Sequence, residues 1–240
     1  MYFKRKSNVI FRSYDNFGYI TDNRNFGYKL NNSDKRNIGD KIVSQSGAIF
    51  LSALGNEVQT IGEIAKKISK IFTNVDIEII ISDAKEYFSM LEKEGFIVSG
   101  KTIKECNEKD SKISYKETKQ EITGMDNPLN NIKPKMLTQE YFYDYFKGKP
   151  QLTNWHIEIT SRCNERCTHC YIPHESKIED IEPKIFYSIL EQCKQMKLLH
   201  LTLSGGEPML HEQFIEFLKI CRSYNFSINI LSNITLLNNN

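Results

Sequence analysis

No stretch of this 240-residue chain approaches the ~18 consecutive apolar residues that a membrane-spanning helix needs. No apolar segment comes after the basic start Met1-Tyr2-Phe3-Lys4-Arg5-Lys6, as one would in a secretory signal. These absences predict a cytoplasmic protein with no membrane partner. An excess of one charge is missing too. The 32 Lys and Arg against 30 Asp and Glu leave a formal net charge of +2, so there is no basic footprint of the kind that draws nucleic acid. The sequence has no internal repeat. Nor are its six cysteines spaced as a disulfide frame. Three fall between positions 163 and 170, a pattern that suits metal ligands in a reducing compartment. What the chain does have is 40% hydrophobic residues, with 14 Phe and 12 Tyr. That supports packed cores in one large domain or two modest ones.

Periodicity and punctuation divide the chain into three zones. In residues 1–100, Ser7-Asn8 reads as a turn, and strands are expected at 9–14, 19–21, 26–30 and 41–43, separated by Asp, Asn and Gly. Three helices come next. The first covers 46–54 and stops at Gly55. The second opens with Thr60-Ile61-Gly62-Glu63, a capping box in which hydroxyl and carboxylate satisfy orphan amides reciprocally. The third runs over 77–94, with Ile77, Ile80, Ala84, Phe88 and Leu91 on one face, and Gly95 ends it in a left-handed cap. Residues 96–98 read as a closing strand. Residues 101–150 read as a linker, because 11 of the 25 residues from 101 to 125 are charged and the apolar ones show no period. A short helix over 139–146 is expected to dock onto the next domain. The third zone, 151–240, alternates strand (155–160), helix (182–196), strand (199–203), helix (214–224) and strand (228–232). That order predicts a parallel sheet. Ile185, Ile189, Leu190 and Cys193 are expected on the apolar stripe of the first of these helices.

Chemistry concentrates in two motifs. The run CNERCTHCY places Cys163, Cys167 and Cys170 at C-x3-C-x2-C on the loop after strand 155–160. A structural zinc wants four closed ligands, whereas an iron–sulfur cube is held by thiolates at its iron corners; three thiolates leave one iron open. Thirty-four residues after Cys170, Ser204-Gly205-Gly206-Glu207-Pro208 ends a predicted strand. Without side chains, Gly205 and Gly206 let backbone approach a ligand closely. Bland readings stand beside these. A zinc knuckle completed by His169 or His174 is the alternative for the cysteines, though it gives Gly-Gly-Glu no role. Cys193 and Cys221 read as buried core thiols, Cys106 as incidental in a charged linker, His200 and His211 as packing or surface residues, and Trp155 as packing at the base of the barrel.

The two motifs, in this order and at this distance, resemble those of the radical S-adenosylmethionine (radical SAM) enzymes. The resemblance implies a 4Fe–4S cluster on Cys163, Cys167 and Cys170 whose open iron chelates SAM, with reductive cleavage giving a 5′-deoxyadenosyl radical. It implies a reductant such as ferredoxin or flavodoxin. Gly205 and Gly206 would line the cofactor, and Glu207 would meet the SAM ammonium in a charge-assisted contact. The residue before the third cysteine is commonly aromatic in the family and lies near the adenine. Here His169 holds that place, with Tyr171 just beyond Cys170. Asn233 matches a further family position near the cofactor. The implied fold is α/β, a partial radical SAM (β/α) barrel over 151–240. Since the family's barrel has six strands, an excised fragment or a truncated product with little or no turnover is expected.

Residues 1–100, strands then three helices ending in Gly-Phe-Ile-Val, resemble the PqqD-like peptide-recognition domain, an α+β winged helix. That resemblance implies that the leader of a ribosomally made precursor peptide adds as a strand beside the third strand and packs on the third helix. The edge strand is either 26–30 or 41–43. A winged-helix DNA binder is disfavoured by Glu78, Asp83, Glu86, Glu92 and Glu94 on the third helix, against Lys85 and Lys93. A reader joined to a radical generator points to a peptide maturase that forms thioether or carbon–carbon crosslinks, the linker at 101–150 tethering the substrate. The alternatives are a leader-binding module without catalysis and a protein-modifying enzyme of the sulfatase-maturase type.

Overall fold

The structure, a computed structural model, describes residues 1–22, 28–30, 40–110, 132–134, 146 and 149–237. It divides into two units, Met1–Lys147 and Gly148–Asn240. Among the described residues no helix is long and apolar enough to cross a membrane.

Among the described residues the first unit carries two three-stranded antiparallel sheets, one two-stranded pair and four helices. β1 (Tyr2–Arg5) lies between β6 (Gln59–Thr60) and β7 (Ile97–Gly100). β3 (Phe17–Thr21) lies between β2 (Ile10–Ser13) and β5 (Asp40–Ser44). β4 (Tyr28–Leu30) pairs with β8 (Ile132–Pro134). Helix α1 (Gln45–Leu54) starts where the Ser44 hydroxyl accepts from the Gly47 amide and ends at Gly55, whose φ of 64° suits glycine. Helix α2 (Ile61–Ser69) has the expected capping box between Thr60 and Glu63. Helix α3 (Ile77–Lys93) is capped by Asp76 and followed by Gly95 at φ 87°. The core gathers Phe3, Phe11, Ile20, Leu51, Leu54, Ile64, Ile68, Ile80, Ala84, Phe88 and Leu91. Each large aliphatic or aromatic side chain buried there contributes about 1.5–3 kcal/mol.

Several expectations are corrected. The first strand is β1, which begins seven residues earlier than expected. Its charged residues disguise it, yet Lys4 and Arg5 are buried. Lys4 pairs with Asp110 at 2.7 Å, and Arg5 donates to the Asn56 side chain at 2.8 Å and lies over the Phe11 ring. Burial pushes the Arg5 guanidinium down to about 10, with the Arg12 charge adding to the effect. Residues 103–110, expected as solvated linker, form α4 (Ile103–Asp110). Cys106 on it is fully buried rather than incidental, with its thiol over the Tyr2 carbonyl. Burial opposes ionisation of Asp110, but hydrogen bonds from Lys4 and Ser7 outweigh it and hold the carboxyl below its ordinary value. Ile77 is partly exposed at the start of α3. The expected helix over 139–146 lies outside the described residues except for Phe146, whose ring packs on Tyr14 and Phe17.

The second unit is a parallel sheet ordered β11–β10–β9, made from β9 (Asn154–Thr160), β10 (His200–Gly205) and β11 (Ser227–Ile230). Helix α5 (Pro183–Gln195) connects β9 to β10, and α6 (Phe214–Ser223) connects β10 to β11. Pro183 sits in the first turn of α5, where its missing N–H costs nothing. After α5, the Leu198 amide reaches back to the Cys193 carbonyl; after α6, Phe226 does the same to Cys221. The intervening Lys197 and Asn225 take positive φ, as in a Schellman stop. Phe186 and Phe217 stack at 3.9 Å between the helices, above Ile157, Ile159, Leu201 and Leu203. On α5, Leu190 and Cys193 are buried and Ile189 packs against the core as expected, but Phe186 takes the place expected of Ile185, which is half exposed. Trp155 is also partly exposed rather than packed away.

Replacing Phe88, which contacts Phe3, Phe50 and Tyr87, with Ala is expected to destabilise the first unit by about 3–5 kcal/mol. Urea unfolding followed by far-ultraviolet circular dichroism measures it.

Candidate metal and cofactor site

The cysteine loop leaves the carboxyl end of β9, and its two ends are pinned together. The Ser161 amide donates to the Glu179 carbonyl at 2.7 Å, and the Ile181 amide to Ile159 at 2.9 Å. Arg162, directly before Cys163, donates from Nε and Nη2 to the two Asp180 carboxylate oxygens at 2.9 and 2.6 Å. It also donates to the Leu210 carbonyl at 2.7 Å. A bidentate pair of this kind fixes orientation as well as distance. Burial opposes ionisation of Asp180, but hydrogen bonds from Arg162 and Thr160 win and lower its carboxyl. Within the loop, the Cys170 amide donates to the Cys167 carbonyl, and the Glu165 amide donates to the Cys163 sulfur at 3.4 Å. Tyr171 donates to Glu158 on β9 at 2.5 Å. That bond, then burial, pushes its hydroxyl up to about 12.

All six cysteines are free thiols. Cys167 is exposed and Cys163 and Cys170 are half-buried, whereas Cys106, Cys193 and Cys221 are buried. Burial pushes Cys193 up to about 11 and Cys221 to about 12, so neither is a thiolate at neutral pH. Among the described residues no three His, Cys, Asp or Glu side chains stand gathered for a metal. The loop thus presents its three thiols without drawing them together. The donor set fits a cluster: three unpaired soft sulfurs on one short accessible loop, one of them already accepting an amide hydrogen. His169 is exposed and makes no hydrogen bond or ring contact among the described residues.

The Gly-Gly-Glu motif meets the root of that loop. β10 shifts register between Ser204 and Gly205, where Gly205 takes φ 142°. A Cβ on Gly205 would overlap the Thr160 carbonyl, and one on Gly206 the Arg162 carbonyl. The bare backbones instead allow the Gly206 amide to reach Thr160 O and the Glu207 amide to reach Arg162 O, both at 2.8 Å. The close approach expected of these glycines is therefore to the chain's own backbone. Glu207 is fully buried. Its carboxylate accepts from the Met209 amide at 3.0 Å, the Ser232 hydroxyl at 2.9 Å and the Asn233 amide at 2.8 Å. Asn233 also donates from its side chain to Asn164 at 2.9 Å, linking the segment after β11 to the cysteine loop. The structure brings Gly205, Gly206, Glu207 and Asn233 together beside the root of the loop. Sequence reasoning missed Arg162, Asp180 and Ser232. Only the adjacency of Arg162 to Cys163 could have flagged any of them.

Comparison with known proteins gives the class first. Residues 157–239 match the family model described as the Radical SAM superfamily. The cofactors of that superfamily are a 4Fe–4S cluster and S-adenosylmethionine. Among particular relatives is the tungsten-containing aldehyde ferredoxin oxidoreductase cofactor-modifying protein of Pyrococcus furiosus. It is 34% identical over 85 residues, 34% of this chain and 24% of that protein. The PqqA peptide cyclase of Gluconobacter oxydans is 30% identical over 82 residues, 33% of this chain and 23% of the cyclase. The matches thus span about a quarter of these relatives' length. Among solved structures, Streptococcus suis SuiB bound to precursor peptide SuiA aligns with 99% of this chain and 44% of its own, at 16% identity and a TM-score of 0.47.

Brief iodoacetamide treatment is expected to label Cys163, Cys167 and Cys170 and to spare Cys106, Cys193 and Cys221 until denaturant is added, as read by peptide mass spectrometry. Gly206→Ala is expected to destabilise the second unit by on the order of 3 kcal/mol or more, seen as a lower urea midpoint in the fluorescence of Trp155.

Proposed function

We propose that this chain is part of a radical SAM maturase that forms a thioether or carbon–carbon crosslink in a ribosomally made precursor peptide. The reading is carried by the cysteine loop and the Gly-Gly-Glu turn meeting at one sheet end, within residues that match the superfamily. PqqA peptide cyclases, named for acting on a peptide, are among the relatives. Cys163, Cys167 and Cys170 would hold the cluster, which when bound supplies the electron that cleaves SAM. Gly205, Gly206, Glu207, His169 and Asn233 would line the SAM site. Glu207 would offer its carboxylate to the SAM ammonium, with the Ser232 hydroxyl as the donor displaced. Three unpaired thiols suit a reducing cytoplasm, and the cluster would take its electron from a partner such as ferredoxin or flavodoxin.

In this reading the first unit is the PqqD-like leader reader and the second is the start of the radical SAM barrel. β5 is the better of the two candidate edges. It pairs with β3 on one side, and among the described residues no strand covers the other, whereas β4 pairs with β8. Beside it lies a cavity of about 370 Å³ lined by Ser44, Gly47, Phe50, Phe72, Val75 and Tyr87 among others. An extended leader could add to the β5 edge and place one apolar side chain there.

Anaerobic reconstitution with iron and sulfide tests the first half. About four irons per chain are expected, with binding of SAM, and both are lost on replacing the three cysteines with Ala. Iron-free protein that holds zinc instead overturns the reading. Phe50→Ala is expected to weaken leader binding at least tenfold, by fluorescence anisotropy, with iron content unchanged.

A further inference from the structure

Both ends of the cysteine loop come back to one dipeptide. Leu210 ends the short turn Pro208–Leu210 that follows the Gly-Gly-Glu motif, and His211 caps it. The Leu210 carbonyl accepts from Arg162, directly before Cys163, at 2.7 Å. His211 Nε2 faces the Ile181 carbonyl, at the other end of the loop, at 3.1 Å. The first end has further ties in the Gly206 and Glu207 amides, which donate to Thr160 and Arg162. The last end has none. Among the described residues no other hydrogen bond joins residues 179–181 to β10 or to the turn after it.

The neighbours of the ring fix its chemistry. His211 is 5% exposed and its ring lies 4.6 Å from that of Phe217, so its nitrogens depend on protein partners. The Gln213 amide, which can only donate, points at Nδ1 at 3.1 Å, so Nδ1 carries a lone pair. A neutral imidazole then holds its one proton on Nε2, where the Ile181 carbonyl, which can only accept, receives it. Both contacts agree on one tautomer, and a charged ring would set a proton against the Gln213 amide. His211 is therefore a directed donor rather than a packing or surface residue. Asp180, next to Ile181, accepts the Thr160 hydroxyl and both nitrogens of the Arg162 fork. The placement of residues 180 and 181 thus bears on where Arg162, and with it Cys163, is held.

We infer that neutral His211 is a positioning residue for the thiols. By holding the Ile181 carbonyl it sets Asp180 against Arg162 and fastens the last end of the loop to the turn after β10. That the thiols carry a cluster rests on the radical SAM reading; the closure of the loop rests on the contacts themselves.

Three variants of the full chain separate the two bonds of the ring. Glutamine brings an N–H near the place of Nε2 and lacks the acceptor at Nδ1. Asparagine offers an acceptor near Nδ1 and is too short to reach Ile181. Leucine keeps the packing on Phe217 and makes neither bond. In timed iodoacetamide labelling, read by peptide mass spectrometry, Cys163 is expected to react at least threefold faster in His211→Leu and His211→Asn than in the native chain. His211→Gln is expected to return to within twofold of the native rate. Cys193 and Cys221, buried on α5 and α6, are expected to stay unlabelled, which separates a loosened loop from an unfolded unit. If His211→Leu exposes them, the comparison of glutamine with asparagine decides. Rescue by asparagine rather than glutamine assigns His211 to the start of α6 and overturns the inference, as does a native rate in His211→Asn. A proton on Nδ1 in long-range proton–nitrogen magnetic resonance of the native chain at neutral pH overturns it as well. None of these measurements needs iron. A chain that takes zinc and no iron but follows this order keeps His211 in its role and loses the radical SAM reading. An iron-loaded chain in which glutamine fares no better than asparagine does the reverse.

Discussion

The contact between the two glycines at the end of β10, Gly205 and Gly206, and the backbone at the end of β9 sets the geometry of everything nearby. Thr160 and Arg162 accept the amides of Gly206 and Glu207 at 2.8 Å, a distance that no side chain at Gly205 or Gly206 would allow. Because those two residues lie against the root of the cysteine loop, the carboxyl end of β10 and the start of the loop share one rigid seam. Glu207 extends the seam to the third strand. It is fully buried, and its oxygens hold Ser232 and Asn233 just past β11. Three strand ends are thus tied by one turn: backbone bonds join β10 to the end of β9, and the Glu207 carboxylate holds the segment after β11.

The first unit solves a different problem. Its core is built from side chains whose spacing declares them, but its outer sheet recruits charges into low-exposure positions. Lys4, Arg5 and Asp110 are partnered through contacts between distant parts of the chain, Arg5 with Asn56 and Lys4 with Asp110. Breaking one partner would leave an isolated buried charge, which is why such pairs act as constraints on register more than as sources of stability.

That difference explains what could be read in the sequence. Helix limits were legible because their signals are local. Thr60 and Glu63 cap each other three residues apart, Gly55 and Gly95 stop helices with positive φ, and both crossovers of the parallel sheet announced themselves in alternation. The cysteine loop and Gly-Gly-Glu were legible as motifs. β1 was not, because Lys4 and Arg5 look like a solvated start until partners 51 and 106 residues away are known. The helix at 103–110 was hidden in the same way, since its charges resemble those of a solvated segment. Nor could the sequence reveal that Glu207 grips Ser232 and Asn233, or that Arg162 grips Asp180. Those contacts span 25, 26 and 18 residues and exist only once the strands are side by side.

The pinning of the cysteine loop at both ends has a wider implication. Residues 159–162 and 179–181 are cross-bonded to each other, so the strand ends are held without the middle of the loop. Closing a surface segment costs little more entropy as it lengthens. The stretch from Ile172 to Ser176 can therefore gain, lose or exchange residues as a cassette, retuning what surrounds the thiols while the strands beneath keep their places.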